Sequence, residues 1–158
     1  MSQNVPATRT SSNSCSSIVI TAHFLVVAQF ILGLLLIGTY WYSANQYKRY
    51  GEISPASLAF IAIPVTFVIG NFCILFGSLI SFNSGGILFR TTHDLIYNTV
   101  ALIAYLSATI AFFSQFITTI SSTEPVYNGY MTASIIGFFV SGFYFISTYF
   151  VFKFHRIC

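Results

Sequence analysis

Four stretches of this chain run without a single Lys, Arg, Asp or Glu: residues 10–47, 53–89, 95–123 and 125–152. Each is longer than the ~20 apolar residues that cross a bilayer core of about 30 Å. Charged residues make up 6 % of the sequence, against roughly 25 % in an ordinary soluble domain. A soluble fold could not cover its surface with so few. The spans are placed at 18–40, 58–80, 95–118 and 129–152. Lipid offers no partner for open backbone groups, so segments of this length must be helices. The β-propensity of their many Val, Ile and Phe residues is overridden by the hydrocarbon. The expected fold class is an all-α membrane protein, a four-helix transmembrane bundle with N and C termini cytoplasmic. The first apolar run far exceeds the ~7–15 residues of a signal-peptide core, and no small-residue cleavage site follows it. It reads as a retained first helix.

An even number of spans puts both termini on one side. Arg9, Arg90, Lys153 and Arg156 fall on that side, and Lys48 and Arg49 on the other. The excess favours cytoplasmic termini. The net charge of +3 makes no basic face long enough to track phosphates, so nucleic acid is not an expected partner. Residues 1–17 form a Ser/Thr/Asn-rich tail, expected to be disordered, and 153–158 a short cytoplasmic tail. Residues 41–57 are the longest loop, opened by a Tyr40-Trp41-Tyr42 cluster that reads as an interfacial aromatic belt. Lys48 and Glu52 have the spacing of a helical ion pair. Residues 83–86 form a turn, and Glu124-Pro125 marks a tight outer loop.

Catalytic and metal chemistry find little to work with. Cys15, Cys73 and Cys158 form no C-x-x-C and no pair in an outer loop. Cys158 ends the chain and is no prenylation box. Cys15 and Cys158 are candidate palmitoylation sites near the inner leaflet, with a free thiol as the alternative. Of His23, His93 and His155, only His23 lies within a span. Paired axial haem ligands and a convergent zinc set are both missing, so no cofactor is called for. Asp94 follows Thr91 at capping-box spacing and sits at a helix N-terminus, where a carboxylate is favoured. The sharper reading makes it a functional charge at the membrane edge. No charge lies near the middle of any span, which argues against pumps, coupled transporters and voltage sensors but not against a passive pore.

The polar residues inside the spans are uncharged: Gln29, Asn71, Asn98, Gln115 and His23. At ~1.5 Å rise per residue, Gln29 lies roughly 16 Å, and Asn71 roughly 14 Å, from the inner ends of their spans. Gln29 is therefore expected to meet Asn71, and His23 to share a shallower level with Asn98. Bonded amides join helices in lipid by about 1 kcal/mol. Small residues also recur at helical spacing: Ala104 with Ala108, Ser107 with Ala111, the series Ala133, Gly137 and Ser141, and Gly70 with Gly77. Such rows let backbones approach closely, within the bundle or against a second copy. Pro64 removes one helical hydrogen bond from the second span and predicts a kink.

The third span and its lead-in read His93-Asp94-Leu95-Ile96-Tyr97-Asn98-Thr99-Val100-Ala101, then Ala104-Tyr105-Leu106-Ser107-Ala108. With the spans, short loops and small size, this resembles the MARVEL-domain family: the MAL and plasmolipin proteins, the chemokine-like-factor group and the physins. The resemblance implies a non-enzymatic role in membrane apposition, lipid-raft organisation, vesicle trafficking or cell junctions. It implies a plasma membrane or endosomal/secretory vesicle location, and no catalytic residues. The outer-loop cysteine pairs of several relatives are absent. Claudins would add paired cysteines beside Trp41, and tetraspanins a large cysteine-rich second outer loop.

Three functions are thus in play. The first is a membrane organiser whose partners are membrane lipids, other membrane proteins and copies of itself. The second is a small oligomeric channel or transporter lined by Gln29, Asn71, Asn98 and Gln115. The third is a lipid-modifying enzyme using His93 and Asp94 at the inner interface.

Overall fold

A computed structural model describes the backbone of residues 9–46, 55–80, 92–119 and 127–157, and the side chains of 20–45, 55–77, 94–119 and 127–153. The described chain is four α-helices: α1 Arg9–Gln46, α2 Pro55–Ile80, α3 Thr92–Thr119 and α4 Tyr127–Ile157. Each contains a segment long and apolar enough to cross a bilayer: Ile20–Asn45, Pro55–Gly77, Asp94–Thr119 and Tyr127–Lys153. The chain is a multi-pass integral membrane protein.

Local chemistry explains the starts of α2 and α3. Pro55 opens α2, where its fixed φ suits the first helical turn and its missing N–H costs nothing. Asp94 lies in the first turn of α3, beside the positive end of the helix dipole. α1 starts at Arg9, so 9–17 of the expected N-terminal tail is helical. No Gly or Pro falls between Arg9 and Gly33 to stop the helix sooner. Trp41 and Tyr42 likewise extend α1 rather than opening a loop. α2 runs through Pro64 without interruption, and that ring is fully buried. Lys48 and Glu52, the 83–86 turn, Thr91, Glu124-Pro125 and Cys158 lie outside the described residues. So do the side chains of Cys15, His93 and His155.

Each helix packs on its neighbours in sequence, and α4 closes the ring against α1. The cavity at one end is walled by the start of α1, the end of α2, the start of α3 and the end of α4. The helices therefore alternate up and down, and that end, the termini end, carries the start of α1 and the end of α4.

Every helix turns inward at steps of three and four residues. On α1 the seam is Val26, Gln29, Gly33, Leu36 and Ser43, and on α2 Phe60, Pro64, Val68 and Asn71. On α3 it is Asn98, Ala101, Tyr105, Ala108, Phe112 and Phe116, and on α4 Ala133, Gly137, Val140, Tyr144 and Ser147. This alternation of three and four is the spacing that keeps one face of a helix turned to its neighbours. Of the small-residue rows, Ala133, Gly137 and Ser141 are buried, while Ser107 and Ala111 face outward.

Aromatic rings fill much of the axis. Toward the end away from the termini, Phe60 stacks on Phe112 at 4.2 Å, and Tyr40 sits about both at 5.9 and 5.8 Å. Tyr40 thus leaves the expected interfacial belt for the core, while Trp41 and Tyr42 remain two-thirds exposed. Nearer the termini, Tyr105 stacks on Tyr144 at 5.2 Å, and Phe67 contacts both, at 5.6 and 6.0 Å. Offset and edge contacts at these separations are favourable beyond the area they bury. The outward faces carry Phe24, Ile69, Ile103, Phe139 and Phe145, all more than half exposed to the lipid.

Candidate functional site

The three buried amides, Gln29, Asn71 and Asn98, lie toward the termini end of the bundle. Asn71 is 1 % exposed on α2. Its Nδ2 donates to the Tyr144 hydroxyl on α4 at 3.0 Å, and its Oδ1 accepts from the Tyr97 hydroxyl on α3 at 3.1 Å. The Phe67 carbonyl, at 3.2 Å, is a second acceptor for Tyr97. One asparagine thereby ties three helices together. Gly70 permits the approach, since a Cβ there would stand 2.5 Å from the Tyr97 hydroxyl.

Gln29, also 1 % exposed, joins α1 to the same region. Its Nε2 donates to the Phe143 carbonyl of α4 at 3.4 Å. A carbonyl only accepts, so this contact fixes which end of the amide faces α4. The other end, Oε1, is buried and accepts no hydrogen bond. Asn98 is oriented in the same way, because its Nδ2 donates to the Asp94 carbonyl one turn earlier at 2.8 Å. Its Oδ1 is then the end turned away from that carbonyl.

These side chains surround a cavity of about 20 Å³. Its polar wall is Gln29, Asn71, Asp94, Tyr97, Asn98 and Ser147, and Ala22, Val26, Ile74 and Val151 complete it. All four helices contribute. The volume suits one water-sized occupant.

Gln29 and Asn71 therefore share a pocket, as their depths suggest, but do not bond to each other. Rotation about the helix axes turns each amide toward α4. His23 is half-buried and is not part of the cavity wall. Gln115 is half-buried near the other end of α3. Seventeen residues from Asn98, it is about 25 Å away by the helical rise. The four amides do not line one path.

Sequence reasoning gives Tyr97 only a place in the third-span motif and gives Tyr144 and Ser147 no role. The three-and-four spacing holds the missing signal: Tyr144 follows Gly137 by seven residues and precedes Ser147 by three, on one face. No known family model, curated protein or solved structure matches the chain.

Proposed function

We propose that this protein is a non-enzymatic membrane organiser of the kind represented by MARVEL-domain proteins. Its termini are cytoplasmic, and it resides in the plasma membrane or in endosomal or secretory vesicles. It acts by associating with lipids, with other membrane proteins and with copies of itself.

The observation that carries this reading is the aromatic filling of the bundle axis. Phe60 against Phe112, and Tyr105 against Tyr144 and Phe67, occupy the space that a pore within one copy would need. What is left for recognition is the outer surface. That surface is apolar on all four helices, and on α3 Ser107 and Ala111 give an exposed face of short side chains where a second helix can approach closely.

The test is reconstitution of the full chain into liposomes. The expected result is vesicles as tight to small solutes as protein-free ones, with energy transfer between donor- and acceptor-labelled copies well above that of a random dilute mixture. Robust selective flux overturns the reading in favour of an oligomeric channel. Energy transfer no greater than random removes self-association from it.

A further inference from the structure

We propose that the cavity at the termini end binds one alkali-metal cation, Na⁺ or K⁺, with Gln29 Oε1 as its innermost ligand and Asp94 supplying the negative charge.

The chemistry of the wall points to a cation. Gln29 is 1 % exposed, and its Oε1 is buried without a hydrogen-bond donor. An amide oxygen left in this state costs free energy that a positive charge recovers. The Phe143 carbonyl prevents the amide from flipping to relieve it, because a flip would set two acceptors against each other. Asn98 is held with its N–H₂ on the Asp94 carbonyl, which turns its oxygen away from that carbonyl. Asp94 and Ser147 add a carboxylate and a hydroxyl to the same wall. Asn71 and Tyr97 satisfy each other and brace the pocket rather than compete for its contents.

The set is oxygen-only, which selects hard cations over zinc or copper. It contains a single carboxylate. Ca²⁺ typically takes six to eight oxygens with several carboxylates among them, and Mg²⁺ keeps most of its water. One charge and neutral oxygens fit a monovalent ion. About 20 Å³ admits that ion without a hydration shell. The site is independent of what the lipid-facing surface binds.

The full-length protein in detergent micelles tests this. Thermal unfolding is followed by circular dichroism in NaCl, KCl and N-methyl-D-glucamine chloride at one ionic strength. The expected result is a saturable rise in melting temperature with Na⁺ or K⁺ that the bulky cation does not produce. Asp94→Asn should abolish that rise, and Gln29→Met, which keeps the bulk and removes the acceptor, should shift it to higher salt. Sodium NMR on the wild-type protein gives a reading that needs no variant to fold: line broadening that saturates and is displaced by K⁺. Identical melting in all the salts with no displaceable broadening overturns the proposal and leaves the cavity to water. A cation response kept intact in Asp94→Asn overturns it equally.

Discussion

Inward-facing hydroxyls have opposite expected effects when removed, according to whether they are hydrogen-bonded. The Tyr144 hydroxyl accepts from Asn71 Nδ2. Tyr144→Phe keeps the ring stacked on Tyr105 but strands a buried amide. Hydrogen bonds between membrane helices are worth about 0.6 kcal/mol on average and up to about 1.7. A loss near 1 kcal/mol is expected, read by denaturation in mixed micelles. Tyr97→Phe should cost a similar amount. The double variant should lose less than the sum, because both act through Asn71. Strict additivity would show that the asparagine does not couple them. Thr109 is the reverse case. It is fully buried, and its Oγ1 makes no hydrogen bond. Thr109→Val keeps the shape and removes only the unsatisfied group. An increase in stability of about 1 kcal/mol is expected in the same assay, and a loss would reveal a partner for the hydroxyl.

At the scale of helices, the glycines divide by what surrounds them. A Cβ on Gly137 would stand 2.7 Å from Thr109 Oγ1 and 3.0 Å from its Cγ2. Thr109 is short, branched and buried, so it cannot swing away. Gly137→Ala should force α3 and α4 apart at a cost of ~1–3 kcal/mol. Gly142, on the same helix, has nothing within 4 Å of its Cβ position. Gly142→Ala should gain the ~0.5–1 kcal/mol by which alanine exceeds glycine in a helix. Equal effects at the two sites would mean that the close approach at Gly137 does not hold the helices. The same contrast explains what was legible in the sequence. Charge-free gaps locate helices because the cost of burying a charge in lipid depends on position along the chain. They carry no information about rotation, since all faces of such a helix are apolar. Hydrophobicity therefore could not show that Asn71 meets Tyr97 and Tyr144 rather than Gln29. Polar and small residues mark the inward seam instead, as Gln29, Gly33 and Ser43 do on α1 and Asn98 and Ala101 on α3. The helical stretch that begins at Arg9 was not legible either, because its Ser/Thr/Asn composition resembles a tail.

For the whole molecule, the alternation of the helices leaves one unknown, the side on which the termini lie. The termini and the 81–91 connection carry Arg9, Arg90, Lys153 and Arg156, and the opposite face carries Lys48 and Arg49. Basic residues near span ends are retained on the cytoplasmic side during insertion. Cytoplasmic termini are thus expected, by a small margin. Single cysteines placed in a background of Cys15→Ser, Cys73→Ser and Cys158→Ser read this out. In intact cells with the protein at the surface, a membrane-impermeant maleimide should label Tyr50→Cys at once and Gly85→Cys only after permeabilisation. The opposite pattern reverses the topology. The narrow charge difference has its own consequence. Adding Ser122→Lys and Thr123→Lys to the far side makes the two faces equal, so the population should split and both reporter cysteines should label partially. A protein that kept one orientation despite equal charges would be oriented by something other than its basic residues.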